Sequence, residues 1–203
     1  MHTALTDSSH IVEEEAKKMN ILAMYKEQDV KKMTKMVTGY KYNQKIKLNN
    51  SVEFNIKNAG HILGSGIIEL WLTEKGRKVK ITFTGDLGNP PTPLLPPTEF
   101  IDQTDYLLIE SAYGDRLHES RNQRKNEMRD IIKEVIRRKG VMMIPSFALE
   151  RTQELLYELN DLIENKKIPK VPIFIDSPLA IKITEIYKKH QDYFNDKTKY
   201  IIN

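Results

Sequence analysis

The sequence predicts an α/β fold in which helices and an antiparallel meander precede a parallel sheet covered by helices. Between residues 46 and 83, apolar and polar residues alternate, which is typical of antiparallel strands with one buried face. From residue 106 onward, short continuous apolar runs alternate with helical patterns, which is typical of a parallel sheet. We therefore expect a first domain over residues 1–116 and a second over residues 117–203.

The first domain begins with two helices and continues as strands. Helical spacing of apolar residues predicts helices over residues 4–19 and 26–37. The alternating segment then predicts strands whose apolar positions share one face of a sheet. These positions are Ile46, Leu48, Val52, Phe54, Ile56, Ile68, Leu70, Leu72, Val79, Ile81 and Phe83. A proline-rich stretch at residues 90–97 interrupts the regular structure.

Strands and helices alternate in the second half of the chain. Three apolar runs predict strands, namely residues 106–109, 141–144 and 171–175. The first run is continuous, which is typical of a strand covered on both faces. A helix with Ser120 as its cap follows the first run and ends at Gly140. Leucines and isoleucine over residues 155–163 mark the next helix, and residues 179–190 form the last.

Composition narrows the possible chemistry. The chain has 203 residues and no cysteine, which excludes disulfides, thiolate nucleophiles, iron–sulfur clusters and cysteine-type zinc sites. Any metal must be held by His, Asp or Glu, and the chain has five histidines. A mean hydropathy of −0.52 with short apolar runs predicts no membrane span. Since the start also lacks a signal-peptide pattern, we expect a cytoplasmic location.

The positive charge of the chain is concentrated near its start. The formal net charge is +4, and residues 17–47 carry nine lysines against Glu27 and Asp29. Such a stretch is suited to binding a polyanion, or it forms a solvated lysine-rich helix face. Charge alone leaves both interpretations open.

Small or polar residues follow predicted strands at five places. Such positions are where sheet-based sites are built, because strand ends bring loops of neighbouring strands together. The five loops are residues 59–65, 84–88, 110–116, 144–151 and 176–180.

Three of these loops carry candidate metal or acid–base groups, and each has a structural alternative. Glycines beside His61 let its ring approach a ligand, although loop histidines also serve as structural hydrogen-bonding groups. Asp86 lies in a glycine-flanked turn, where aspartate also serves as a turn former. Glu110 follows an apolar run and needs a cation, metal or donor partner, for which Arg116 is the structural alternative.

The last two loops are strand-to-helix junctions. Helix amides near Ser146 and the first-turn Arg151 suit an anion such as phosphate, although Arg151 is equally placed to bind Glu154. Asp176 and Ser177 stand before Pro178, and helix capping by the Asp or the Ser explains this junction on structural grounds.

Taken together, in order and over almost the whole chain, these loops resemble the metallo-β-lactamase-fold RNA-processing nucleases that carry a β-CASP insertion. Residues 7–16 look like the helix that follows the first metal motif of this family. Residues 60–65 (GHILGS) resemble the third metal motif, and residues 85–88 (GDLG) the fourth. Residues 110–116 (ESAYGDR) are similar to its acidic motif A, with Ala112 in place of the usual Thr. The stretches 145–156 and 176–180 resemble signatures of the β-CASP insert.

The resemblance implies a site for two zinc ions that hydrolyses RNA phosphodiesters. His61 would ligate one zinc, Asp86 would bridge both, and Glu110 would orient the attacking water or the histidine that protonates the leaving group. The implied contacts to backbone phosphates are Ser146, Arg151 and Ser177. The fold it implies is a partial metallo-β-lactamase domain followed by a partial β-CASP domain.

The chain also departs from the family pattern. No His-x-His occurs in it, and neither His118 nor His190 lies in one of the late histidine motifs. We therefore expect an internal fragment that binds zinc weakly and is inactive alone, with RNA and the complementary piece of a split gene as partners and no membrane contact. The alternatives are a non-catalytic RNA-binding or regulatory module and a truncated pseudogene product without a stable fold.

Overall fold

A computed structural model of the chain describes residues 1–117, 121–196 and 198, and within them it forms one five-stranded sheet with five α-helices. The strands, which neighbour one another in chain order, are β1 (Ile46–Lys47), β2 (Val52–Asn58), β3 (Gly66–Glu74), β4 (Arg77–Phe83) and β5 (Tyr106–Leu108). The helices are α1 (His2–Met19), α2 (Glu27–Thr34), α3 (Arg121–Arg137), α4 (Arg151–Glu164) and α5 (Pro178–Lys189).

The predicted meander is confirmed. Strands β1 to β4 pair antiparallel, and Ile68 of β3 lies opposite both Ile56 and Phe83. The β3–β4 turn places Lys75 and Gly76 at φ 48° and 79°, in the left-handed region that short hairpin turns require. Strand β5 is parallel to β4, so the sheet is mixed and the predicted α/β class is confirmed.

The sequence predicted that the apolar face of the sheet is the buried one, but the structure leaves part of that face exposed and buries polar residues on the other face. On the apolar face, Leu72 and Phe83 keep 37% and 38% of their surface exposed, whereas the opposite face buries Asn55 and Glu69. Glu69 accepts from Asn55 Nδ2 at 2.9 Å and pairs with Lys80 Nζ at 2.6 Å. Burial raises the pKa of Glu69, but these two partners outweigh it and leave that pKa below its usual value. Buried polar groups are tolerated here because they are paired.

The later strands are where the sequence prediction is wrong. The segment beginning at Tyr106 is a strand, but its three residues are exposed rather than covered on both faces. Residues 141–144 and 171–175 form no strand in the described structure. A strand requires a backbone partner, and the described chain places none beside these runs, so Val141 and Phe174 lie almost fully exposed.

The five predicted helices are all present. Helix α2 ends at Thr34 instead of residue 37. The predicted cap of α5 is confirmed, since Ser177 Oγ accepts from the amide of Ala180 at 3.2 Å. The predicted cap of α3, Ser120, lies outside the described residues. In the described part of the chain, no helix combines the length and apolar character needed to cross a membrane.

Two apolar clusters hold the helices together. One joins the proline-rich stretch to the end of the described chain, through Leu94, Leu95, Ile183, Tyr187 and Phe194. The other lies between α3 and α4 and contains Ile132, Leu159, Leu162 and Ile168. The first cluster crosses the predicted boundary at residues 116 and 117, which therefore stays a prediction, and it brings α5 close to the loop of His61.

Candidate functional site

His61 and Asp86 face each other across two loops that follow β2 and β4. The Nε2 atom of His61 lies 3.8 Å from Oδ2 of Asp86. Their side chains are 39% and 77% exposed, so solvent reaches both groups. The sequence predicted these two residues as ligands of one site, and the structure brings them together.

Glycine makes the approach of the two loops possible. The amide of Gly88 donates to the carbonyl of Ala59 at 2.8 Å. A Cβ on Gly88 would lie 1.9 Å from the carbonyl oxygen of Gly60, closer than any side chain permits. Gly60 itself has φ 64°, and its Cβ would lie 2.7 Å from the backbone nitrogen of Thr98. The sequence therefore needs glycine at both positions for His61 and Asp86 to meet.

Local side-chain hydrogen bonds hold the backbone of the His61 loop. Ser65 Oγ accepts from the amides of His61 and Ile62 at 3.1 and 3.2 Å. The amide of Gly60 donates to Asn58 Oδ1 at 2.9 Å. These bonds form one closed turn between β2 and β3, so the imidazole projects from a rigid backbone.

Glu110 connects a third loop to the one that carries Asp86. Its two carboxylate oxygens accept from the amides of Leu87 at 2.9 Å and Ala112 at 3.2 Å. These two amides hold the pKa of Glu110 below its usual value, and the nearby His61 adds to the effect against a small cost of burial. Arg116 lies over the ring of Tyr113 at 4.9 Å. The partners that the structure shows for Glu110 are therefore backbone donors, and they place it as a support for the Asp86 loop.

The donor pair fits part of a zinc site. Nitrogen and oxygen ligands each lie about 2.0–2.2 Å from zinc, so two ligands of one ion are about 3–4 Å apart. The 3.8 Å between His61 and Asp86 is within that span. Across residues 1–117, 121–196 and 198, no group of three His, Asp or Glu side chains has the arrangement of a metal site. The described residues thus offer two candidate ligands and do not complete a catalytic zinc site, which needs three.

The candidate phosphate contacts do not all lie together. Ser146 and Arg151 line one cavity of about 310 Å³ with Arg124, Phe147 and Glu154. Ser177 is not among the residues that line it, and its hydroxyl caps α5. Arg151 Nη1 pairs with Glu154 Oε2 at 2.9 Å, as the structural alternative predicted, while its side chain stays 54% exposed. The geometry therefore places Ser146 and Arg151 in one cavity and gives Ser177 a capping role.

A buried contact that sequence reasoning missed links this site to α4 and α5. Glu150 stands immediately before α4 with φ 63° and accepts a hydrogen bond from the hydroxyl of Tyr187. That hydroxyl in turn accepts from the amide of Leu63 at 3.3 Å, two residues after His61. Burial raises the pKa of Glu150 to about 7. No local pattern marks such a contact, because its members are far apart in sequence.

Comparisons with known proteins identify the family of the chain. A family model described as the Beta-Casp domain matches residues 152–201. The chain is 35% identical over 188 residues to an RNase J-like protein of Methanocaldococcus jannaschii, covering 91% of the chain and 43% of that protein. The chain belongs to the β-CASP family of metallo-β-lactamase-fold proteins. The resemblance drawn from the five loops is thereby confirmed.

Other β-CASP relatives match a similar share of the chain. It is 29% identical over 189 residues to a ribonuclease of Thermus thermophilus, covering 93% of the chain and 42% of that protein. It is 31% identical over 182 residues to cleavage and polyadenylation specificity factor subunit 3 of Dictyostelium discoideum, covering 87% of the chain and 22% of that protein. The chain spans less than half the length of these β-CASP relatives.

Proposed function

We propose that this chain is part of a zinc-dependent ribonuclease, to which it contributes two metal ligands and a surface for backbone phosphates. The observation that carries the proposal is the pairing of His61 Nε2 with Asp86 Oδ2 at 3.8 Å. The names of the relatives support RNA as the substrate, since they include an RNase J-like protein and a ribonuclease. His and Asp ligands also suit a chain without cysteine.

In this proposal, each residue has a role that its contacts support. Bound zinc supplies Lewis-acid polarisation of a phosphodiester and makes water nucleophilic near neutral pH. His61 and Asp86 would hold the metal from two loops that approach each other at Gly60 and Gly88. Glu110 holds the Asp86 loop by accepting from the amide of Leu87, so it positions a ligand. Arg151 and Ser146 bind and orient a phosphate of the RNA strand.

We propose further that the remaining ligands come from polypeptide outside the described residues. The described part of the chain completes no three-ligand group, and its relatives are more than twice as long. Several apolar residues are exposed on β5 and on the segments 141–144 and 171–175, which form no strand in the described structure; examples are Leu107, Met143 and Phe174. The additional polypeptide could cover them. We therefore expect chain 1–203 alone to bind zinc weakly and to leave RNA uncut.

The experiment compares chain 1–203 with the complete product, defined as this chain together with the polypeptide that supplies the remaining ligands, whether the two are continuous or encoded separately. Zinc binding is measured by calorimetry, and cleavage of an end-labelled RNA is followed on gels. We expect weak zinc binding and no cleavage by chain 1–203, and zinc-dependent cleavage by the complete product. Asp86→Ala and His61→Ala should abolish that cleavage, whereas the matched controls Asp102→Ala and His190→Ala, at exposed positions, should retain it.

Two results would contradict the proposal. Undiminished cleavage by the Asp86→Ala form of the complete product would remove this residue from the site. Two equivalents of zinc bound by chain 1–203, with RNA cleavage, would show that the chain completes the site by itself.

A second candidate function is RNA binding without cleavage. The observation that favours it is that His61 and Asp86 have no third candidate ligand beside them in the part of the chain that the structure describes. Salt-dependent RNA binding by the complete product, without cleavage at any zinc concentration, would favour this function over the first.

A further inference from the structure

We propose that a hollow lined by lysines, beside the C-terminal end of α4, binds the phosphate backbone of single-stranded RNA. This inference rests on the proposed function and adds a second RNA contact away from the residues that surround His61. The hollow has a volume of about 600 Å³. The residues of this lysine hollow are Lys133, Ile163, Glu164, Lys166, Lys167, Ile168, Pro169 and Lys170.

The chain turn that shapes the lysine hollow is firmly held. At the end of α4, Lys166 adopts φ 55°, and the amides of Lys167 and Ile168 both donate to the carbonyl of Leu162, at 2.8 and 3.3 Å. Ile168 is 3% exposed and packs in the apolar cluster between α3 and α4. The backbone that carries Lys166, Lys167 and Lys170 is therefore ordered before a ligand binds, which lowers the backbone entropy lost on binding.

Charge in the lysine hollow is strongly unbalanced. Four lysines face one carboxylate, Glu164, and none of the four forms an ion pair within 4.0 Å in the described part of the chain. Of the neighbouring carboxylates on α3, Glu134 pairs with Arg137, and Asp130 pairs with Arg129 while also attracting Lys133 electrostatically. Cations near the end of α4 also stabilise the helix dipole, but this does not account for Lys133 on the neighbouring α3.

The N-terminal lysines offer a direct contrast. The sequence placed its densest positive charge at residues 17–47, but the structure pairs several of those lysines with carboxylates. The pairs are Lys18–Glu15 at 2.7 Å, Lys31–Glu27 at 2.7 Å, Lys32–Asp29 at 4.0 Å and Lys45–Glu53 at 3.2 Å. Paired charges release fewer counterions when a polyanion binds, so these four lysines are weaker contacts for RNA than the lysines of the hollow.

The lining of the lysine hollow indicates what it recognises. Ammonium groups bind phosphate as point charges, and the lining has no aromatic ring on which a base would stack. Recognition should therefore follow the backbone of the strand and be independent of sequence. A concave basic surface also follows a thin strand more closely than it follows a flat bilayer, so we favour RNA over an anionic membrane.

The test measures binding of chain 1–203 to a fluorescent oligouridine of 20 nucleotides by anisotropy, over a series of KCl concentrations. The triple variant Lys166→Gln, Lys167→Gln, Lys170→Gln is compared with a control of equal charge change, Lys18→Gln, Lys31→Gln, Lys32→Gln. In the triple variant of the hollow, called the hollow variant, we expect the affinity to fall by about tenfold. We also expect the slope of log affinity against log KCl concentration to become smaller by about 2, since each phosphate contact contributes about 0.7. In the control we expect a change below about twofold.

Each other outcome decides against the proposal. Equal losses in both triple variants would show that net charge alone governs binding, and unchanged binding in the hollow variant would exclude the lysine hollow. Stronger binding to phosphatidylserine vesicles than to RNA, lost in the hollow variant, would assign the surface to a membrane. If thermal melts show that the triple variant is unfolded, Lys133→Gln alone should still reduce the slope by about 0.7.

The same proteins separate this inference from the proposed function. Zinc titration reports on His61 and Asp86 and should be the same in the wild type and the hollow variant. Zinc binding without RNA binding by the lysine hollow would overturn only the inference. RNA binding by the lysine hollow with no effect of His61→Ala on zinc would overturn only the proposed function.

Discussion

The hydroxyl of Tyr187 on α5 donates a hydrogen bond of 2.5 Å to Oε2 of Glu150, the residue before α4. Both side chains are buried, and the same hydroxyl accepts from the amide of Leu63. The contact therefore joins the two helices of the β-CASP match to the loop that presents His61. A carboxylate with this degree of burial is stable because it is either protonated or hydrogen-bonded.

Tyr187→Phe should destabilise the chain while preserving its packing. The ring of the tyrosine stays in the apolar cluster, but Glu150 loses its donor, and the other oxygen of Glu150 is already buried without a partner in the described structure. We expect the free energy of unfolding to fall by about 1–3 kcal/mol, measured by urea denaturation. The control is Tyr157→Phe, at the edge of the same cluster. Equal losses in both variants would contradict a special role for the Tyr187 hydroxyl.

Glu150 should make the free energy of unfolding fall as the pH rises. Burial, reinforced by Glu154 and opposed by Tyr187 and Arg151, raises its pKa from 4.5 to about 7. The folded chain thus binds the proton more tightly than the unfolded chain does. The stability this provides is fully present below about pH 4.5 and is lost as the pH rises through about 7.

Glu150→Gln tests this dependence because the amide keeps the shape of the side chain and does not titrate. Between pH 4.5 and 8, the stability of the wild type relative to this variant should fall by about 3 kcal/mol. Urea denaturation at a series of pH values gives the free energy of unfolding of each protein as a function of pH. The contributions of carboxylates that both proteins share cancel in the difference. Parallel curves would show that Glu150 is ionised over this range. Glu74→Gln, at an exposed position, serves as the control.

The sequence predicted the site better than the later sheet because the signals for the site are local. Strand alternation and flanking glycines placed His61 and Asp86 at strand ends, and the structure brings them within 3.8 Å. An apolar run such as residues 141–144 carries no information on whether a partner strand lies beside it. Its pairing depends on chain segments distant in sequence, which is why the predicted strand is absent from the described structure.

Long-range contacts were beyond the reach of sequence reasoning for a similar reason. Glu150 occupies a left-handed backbone position without being Gly or Asn, so no turn signal marks it. Its partner Tyr187 is one apolar-face residue of α5, and nothing in the helix pattern distinguishes its hydroxyl. The burial of Glu69 was equally hidden, because it depends on Lys80 and Asn55 of the neighbouring strands.

Glu110→Gln should loosen the loop that carries Asp86. The substitution removes the charge that accepts from the amides of Leu87 and Ala112, and it introduces a donor beside them. We expect the Leu87 amide to exchange about tenfold faster with solvent, and the zinc affinity of the complete product to fall about 10- to 100-fold. Exchange is measured by nuclear magnetic resonance, with the exposed Glu74→Gln as control. Unchanged exchange at Leu87 would mean that this carboxylate does not support the loop.

The pKa of Glu110 also predicts a response to acid. Because backbone donors hold this pKa below its usual value, the folded chain binds the proton less tightly than the unfolded chain does. The contribution to stability is present above about pH 4.5 and is lost as the pH falls through the lowered pKa of the folded state. The free energies of unfolding of the wild type and of Glu110→Gln should therefore converge at low pH in an acid titration. A stability difference that grows on acidification would contradict this sign.

Gly88→Ala should separate His61 from Asp86 by backbone crowding alone. A Cβ at this position would lie 1.9 Å from the carbonyl oxygen of Gly60, so the loops must move apart and the bond from the Gly88 amide to Ala59 must weaken. We expect the free energy of unfolding to fall by about 3 kcal/mol, and we expect the complete product to lose measurable zinc binding in calorimetry. Gly39→Ala is the matched control, because nothing lies within 4 Å of its Cβ, and it should leave both properties within error. Wild-type zinc binding by Gly88→Ala would show that the His61–Asp86 pair does not depend on this close approach.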